Sequence, residues 1–418
     1  MQRYILYKRN LYIRKITPFL GKPVVKVITG MRRSGKSCLV RLLIDKLMAD
    51  GVNRGQIVYI DKESYEFDAI HTYHDLAAHV KAAQQNAGGI CYVFVDEIQE
   101  IQEWEKIVAD WSGRHDIDVV ITGSNASLLS GELATLLAGR FVEIRMFPLS
   151  FSEFLTFNEL QKTETPEAFK QFLYYGGLPG LHELGQLSDS TFRPFVAGVY
   201  DSIMLKDIVR RHQVRNYVLL EQVGRYIFDN IGNLTNASRI NAFLKSQKLS
   251  VGVDTILNYM RWFADAHLTH RLLLYDIKGR RHLEVNEKHF VADLGLRTAA
   301  IGYRADDIGG MLENVVCIEL LRRGYRVSVG RIGELEIDFV AERDGMKTYI
   351  QVAYLLPSRT TVERECAALL AVKDNYPKLL LTLDREMGND YEGVRRLYLP
   401  DWLNAVEEGE NTGNICNI

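Results

Sequence analysis

VVKVITGMRRSGKSCLV, Val24 to Val40, runs an apolar strand into G-x-x-x-x-G-K-S and on into an amphipathic helix expected from Lys36 to about Asp50. That order describes a phosphate clamp. Gly30 and Gly35 let the backbone N–H groups of the loop approach a triphosphate, with Met31, Arg32, Arg33 and Ser34 between them and Cys38 in the first helical turn. Lys36 supplies a point charge for the outer phosphates, and Ser37 offers a hydroxyl to Mg²⁺. The positive N-terminal end of the helix faces the same anion. The eight-residue pattern also arises by chance as a glycine turn with a solvated lysine. Here the strand before it and the helix after it select the nucleotide reading.

The rest of the chain sets the frame. With 418 residues, 47% hydrophobic and 25% charged, it is long enough for two to four globular domains. A formal net charge of −2 gives no bulk attraction to nucleic acid, so any basic surface must be local. Cys38, Cys91, Cys317, Cys366 and Cys416 lack C-x-x-C spacing, which argues against a disulfide framework or a zinc site and fits a reducing compartment. The N-terminus MQRYILYKRNLYIRK alternates charge with apolar residues, unlike a signal peptide, and no charge-free window reaches transmembrane length. The expectation is a soluble, cytoplasmic chain with no membrane partner.

A second strand is expected at Gln56 to Asp61, and a third within Ile90 to Glu100, ICYVFVDEIQE. A continuous apolar run ending in acids is how a buried parallel strand delivers carboxylates to the edge of a sheet where ligands bind. Asp96 is the candidate Mg²⁺ holder, and Glu97 is the candidate to orient or deprotonate an attacking water. Acids after a strand also mark an ordinary helix start. The strand Asp118 to Thr122 ends in Gly123-Ser124-Asn125, where Asn125 is either a γ-phosphate or water contact or a turn residue. Arg140, just after Gly139 and before another strand, is a candidate arginine finger acting in cis or from a neighbouring subunit, or a surface ion-pair residue.

GMRRSGKS, YVFVDEIQE, ITGSNASLLS, LAGRFVEIRMFPLSFSEF and YGGLP, in this order, resemble the bacterial and archaeal AAA-type P-loop ATPases with a conserved C-terminal domain of the DUF4143 type. YDSIMLKDIVRR, KHFVADLGLR, MLENVVCIELLRRGY, EIDFVAERDG and YIQVAYLL extend the resemblance to about residue 400. It implies binding and hydrolysis of ATP with Mg²⁺ through Gly30, Lys36, Ser37, Asp96 and Glu97, with Asn125 as first sensor. The second sensor arginine of the lid has no identifiable position.

The fold class expected is α/β, with boundaries at 1–150 for a P-loop core, 151–214 for a helical lid, 215–300 for a winged helix-turn-helix, 301–400 for a nuclease-like domain and 401–418 for a tail. Pro148, Pro166, Pro179 and Pro194 punctuate the helical lid, and Tyr175 to Pro179 forms a tight turn. Helices at Tyr217 to Ile231, Ala237 to Lys245 and Val253 to Ala266, followed by strands at Leu268 to Asp276 and Arg281 to Val285, give the winged-helix order. Its candidate nucleic-acid contacts are Arg261, Lys278, Arg280 and Arg281, although much of the third helix reads as core.

From Leu312 the order helix, three strands, helix, strand is that of restriction-endonuclease-like folds. Glu313, Asp338 and Gln351 stand where an active member holds Mg²⁺, but Ala353 replaces the lysine that steadies the reacting charge, with Lys347 the nearest substitute in sequence. The expected function is therefore an ATP-driven conformational switch, with DNA or RNA as partner. A nucleotide-gated protein-binding module without nucleic acid and a metal-dependent nuclease are the alternatives, and assembly into an oligomer stays open.

Overall fold

Five short apolar runs, β1 (Val25–Thr29), β2 (Ile57–Asp61), β3 (Cys91–Asp96), β4 (Ile117–Gly123) and β5 (Phe141–Arg145), pair in the order β2-β3-β4-β1-β5 in the computed structural model. All four pairings are parallel. The structure describes residues 7–85, 88–129, 135–137, 139–160, 165–185, 187–385 and 390–405. The polar tail expected from Val406 lies outside them. Both sheet faces are covered, which is why these strands read as unbroken apolar runs. Val25, Val27, Val93, Val95, Val119 and Ile121 pack on one side with Leu76 and Val80 of helix Tyr73–Gln84 and with Trp104, Val108 and Trp111 of helix Trp104–Trp111. On the other side Ile28, Phe94, Val120 and Ile144 meet Leu39, Val40 and Leu43 of helix Lys36–Ala49. Alternate residues of one strand thus serve two cores, and the α/β class follows.

Two compact units divide the chain. The first runs through Pro148 and takes in the short stretch Asp265–His267; the second holds Leu149–Ala264 and the chain from Leu268 onward.

The second unit opens with helices. Ser150 and Glu153 form a capping box that starts helix Phe151–Phe157. Helices Thr165–Tyr175, Pro179–His182 and Asp189–Ser202 follow, the last continuing into π-helical turns at Ile203–Arg210. Gly176, at φ 74, makes the tight turn after Tyr175, and the buried Asp293 carboxylate accepts the Gly177 N–H at 2.6 Å while capping helix Leu294–Ile301.

Helices Tyr217–Asp229, Ala237–Ser246 and Val253–Asp265 precede a hairpin of β7 (Thr269–Asp276) and β8 (Arg281–Val291), with the two-residue β6 (Leu234–Thr235) on the far side of β8. β8 is longer than its sequence suggests. β9 (Arg326–Ile332), β10 (Leu335–Arg343), β11 (Met346–Ala353), β12 (Lys378–Thr382), β13 (Asp390–Tyr391) and β14 (Val394–Tyr398) complete a nine-stranded mixed sheet in the order β13-β14-β12-β11-β10-β9-β7-β8-β6. The hairpin is therefore no free wing: β7 pairs in parallel with β9, through Leu274 and Val329, so one sheet runs across residue 300. Helices Ile308–Arg322 and Arg359–Ala371 pack on it, the latter over Tyr349, Leu380 and Val394.

Candidate nucleotide site

β1 and β3 carry the two motifs to the same edge of the first sheet, and β4, lying between them, brings Ser124 and Asn125 there as well. Both are fully buried. The strand order thus gathers Gly30–Ser37, Asp96, Glu97 and Asn125 from stretches far apart in sequence.

The loop itself needs its glycines. Gly30 sits at φ 148, where a Cβ would run into the Met146 carbonyl oxygen, and Gly35 at φ 100 begins helix Lys36–Ala49. No side chain caps that helix, so its first N–H groups remain for an anion. Met31 and Ser34 are buried, Arg33 is exposed at φ 65, and Arg32 pairs with Glu63 at 2.6 Å. Cys38 is half-buried in the first turn of the helix. Lys36 is only 4% exposed and folds back on the loop: its Nζ donates to the carbonyls of Gly30 at 3.1 Å and Met31 at 3.3 Å and lies 3.4 Å from Glu97 Oε1.

One hydroxyl organises the two acids. Thr122 Oγ1 accepts the Glu97 N–H at 3.1 Å and donates to Asp96 Oδ1. Ser37 also hydrogen-bonds the Asp96 side chain, so the two candidate Mg²⁺ ligands already touch. Two hard oxygen donors beside a phosphate loop suit Mg²⁺, which takes few protein ligands and completes its shell with water and phosphate. Burial raises the Asp96 carboxyl above its ordinary range, outweighing its hydroxyl partners and Lys36. Burial pushes Glu97 the same way, but Lys36, Arg32 and the Gln99 amide together hold it below the ordinary glutamate range, so it is ionised. Glu97 also sits at φ 53, a left-handed conformation costly for a glutamate and typical of functional positions.

Several supporting residues escape a motif reading. Arg9, 2% exposed, donates to the carbonyls of Ser34 at 3.2 Å, Phe147 at 3.0 Å and Pro148 at 3.3 Å, bracing the phosphate loop from outside. Arg145 ends β5 in register with Thr29 of β1 and contacts His267 Nδ1 at 3.2 Å. Burial, with Arg145 and Lys36 nearby, holds the His267 imidazole well below its ordinary range and so neutral. The position of Arg145 at a strand's C-terminal end was the available signal; nothing in the sequence points to Arg9 or His267.

Arg140 is placed elsewhere. Its carbonyl accepts the Val25 N–H at the start of β1, so it marks the opposite end of the strand from Gly30, about 15 Å away by strand rise. Exposed and packed over Gly113, it does not reach its own chain's phosphate loop, which corrects the expectation of a finger in cis.

In the second unit, Lys278, Arg280 and Arg281 are exposed at the tip of the β7–β8 hairpin, and Arg261 is exposed on helix Val253–Asp265. Ile256, Tyr259, Met260 and Phe263 of that helix are core. Of the nuclease-like set, Glu313 and Asp338 come together, but Gln351 spends its side-chain oxygen on the Asp338 N–H at 3.4 Å. Ala353 is core, and Lys347 turns to Tyr275 at 2.9 Å, so it does not substitute for the missing lysine. No helix among the described residues is long and apolar enough to cross a membrane.

Comparison with known proteins agrees with the geometry of the first unit. Residues 22–155 match the AAA domain family, and residues 166–307 match a domain of unknown function (DUF8612), a stretch that begins in the helices after Pro148 and extends past the hairpin. An uncharacterised protein of Haemophilus influenzae is 37% identical over 401 residues, 95% of this chain and 98% of its own length. One from Methanocaldococcus jannaschii is 29% identical over 84% of this chain and 79% of its own. Among solved structures, the Walker-type ATPase of Pyrococcus abyssi aligns with a TM-score of 0.49 at 15% identity, over 70% of this chain and 95% of its own. At 37% identity over nearly its full length the chain belongs to the family of the Haemophilus protein, and its own residues 22–155 form an AAA-type P-loop ATPase domain.

Proposed function

We propose that this chain hydrolyses ATP with Mg²⁺ and that turnover switches its conformation. The observation that carries the reading is the convergence of Lys36, Ser37, Asp96 and Glu97 on one sheet edge, with Glu97 ionised and already paired to Lys36. Loop N–H groups and the helix N-terminus bind the β- and γ-phosphates, and Lys36 turns from Glu97 to the incoming anion. Ser37 and Asp96 would hold a Mg²⁺, which would supply charge neutralisation at the phosphate oxygens. Released from Lys36, the Glu97 carboxylate accepts a hydrogen bond from the attacking water and aligns it with the γ-phosphorus; the bond to the β–γ bridging oxygen breaks, giving ADP and phosphate. Asn125 holds the water or a γ-phosphate oxygen. The test is release of phosphate from ATP with and without Mg²⁺ for the wild type, Lys36→Ala and Glu97→Gln. Turnover retained in Lys36→Ala sinks the assignment.

The exposed tip of the β7–β8 hairpin favours nucleic acid as what the switch acts on. Lys278, Arg280 and Arg281 give that tip a cationic surface able to follow a phosphate backbone without reading bases, and Arg261 is a further exposed cation on helix Val253–Asp265. Affinity for duplex DNA and for RNA should fall with salt, with a logarithmic slope shallower by roughly 1–2 in Arg280→Ala/Arg281→Ala. No binding at low salt points instead to a protein partner gated by the nucleotide. Arg140, remote from its own loop, serves as a finger only if a neighbouring copy presents it, which ATPase activity rising with protein concentration and lost in Arg140→Ala would reveal.

A further inference from the structure

Lys288, on β8, is 2% exposed as a residue, and its ammonium enters the acid cluster of the last part of the chain. Its Nζ lies 2.8 Å from Glu336 Oε1, 3.0 Å from Glu313 Oε2 and 3.7 Å from Asp338 Oδ1. Glu313 comes from helix Ile308–Arg322, Glu336 and Asp338 from β10. The other Asp338 oxygen accepts the Val352 N–H at 2.8 Å. These are ammonium distances. A divalent cation would draw the carboxylate oxygens to about 2.0–2.6 Å.

We propose that the Lys288 ammonium stands where a restriction-endonuclease-like site would hold its divalent cation, making the site a metal-independent latch that joins β8, β10 and helix Ile308–Arg322 and does not cleave phosphodiesters. Two further observations agree. A dication would have to displace an ammonium that is 2% exposed and held by three carboxylates. Among the described residues no group of three or more acid, histidine or cysteine side chains is arranged to hold a metal. Ala353 leaves no ammonium beside the metal position, and Lys288 puts one in it.

The test counts Mn²⁺ bound to the full-length, nucleotide-free protein by the loss of its free electron-paramagnetic signal. Wild type and Glu313→Gln should bind the same amount, since neither holds an ion in the cluster. Lys288→Met should gain a further Mn²⁺, and Lys288→Met/Asp338→Asn should lose it again. A Mn²⁺ held by the wild type and lost in Glu313→Gln overturns the proposal, as does a folded Lys288→Met with no gain. If Lys288→Met does not fold, the comparison of wild type with Glu313→Gln decides alone. Because no nucleotide is used, the outcome is independent of the ATPase reading.

Discussion

Replacing Glu97 by Gln should separate binding from turnover, in opposite directions. The Lys36 ammonium and Glu97 carboxylate are 3.4 Å apart and both buried, which at an effective dielectric of 20 corresponds to about 5 kcal/mol of gross attraction. Most of that is offset by the hydration the two ions have lost, leaving a net coupling of about 1–2 kcal/mol. A triphosphate must draw Lys36 out of this pair. With the carboxylate removed, the ammonium keeps the Gly30 and Met31 carbonyls and the weaker pull of Asp96, and nucleotide binding should tighten by about five- to thirtyfold. The amide still accepts from Gln99, so the local packing survives. Turnover loses its water-orienting carboxylate and should fall by about 10²–10⁴. The assay pairs the Kd of a fluorescent ATP analogue with the single-turnover hydrolysis rate. Turnover equal to wild type would refute the water-orienting role, and a tenfold weaker Kd would refute the competition for Lys36.

Gly30→Ala forces a Cβ against the Met146 backbone, at a local cost of about 1–3 kcal/mol; nucleotide affinity should collapse while thermal melting shifts little, and retained affinity would show that the loop adjusts freely. Arg9→Ala leaves the buried carbonyls of Ser34, Phe147 and Pro148 without their donor, so urea unfolding of the first unit should register a loss of about 2–4 kcal/mol together with weaker nucleotide binding. His182 is lowered to about 4 by burial, which puts its folded value below its unfolded one. Its contribution is therefore fully present above about 6.5 and lost as pH falls towards about 4, a limb of about 3 kcal/mol that His182→Gln should flatten in urea titrations; an unchanged acid slope would contradict it.

How much of this was legible follows from where the information lies. The phosphate loop and the acids of β3 were readable because strand, glycines and charges are contiguous there, and the continuous apolar runs announced a sheet buried on both faces. Thr122 and Asn125 were partly readable as polar residues at a strand end. Arg9 was not, because its value depends on three carbonyls, two of them at Phe147 and Pro148, far along the chain. Arg140 misled because it stands before β5, at the end opposite the C-terminal edge that gathers the other site residues. β14 went unseen since Arg395 and Arg396 interrupt its five residues, and the π-helical turns at Ile203–Arg210 share the apolar spacing of a helix. Lys288 sits in a run of alternating charge, NEKH, that reads as solvent-facing; only the pairing of β8 with β7 and β6 turns it inward.

The parallel pairing of β7 with β9 also bears on how the chain is made. On the ribosome β7 emerges with β8 as a hairpin, but its other edge stays open until Arg326–Ile332 has been synthesised. An unpaired edge is an invitation to strands from other chains, and such distant pairings form late. Completion of the sheet therefore has to wait for the last third of the protein. A fragment ending near residue 300, cut where the sequence suggests a boundary, would carry that open edge permanently and should aggregate where the full chain does not.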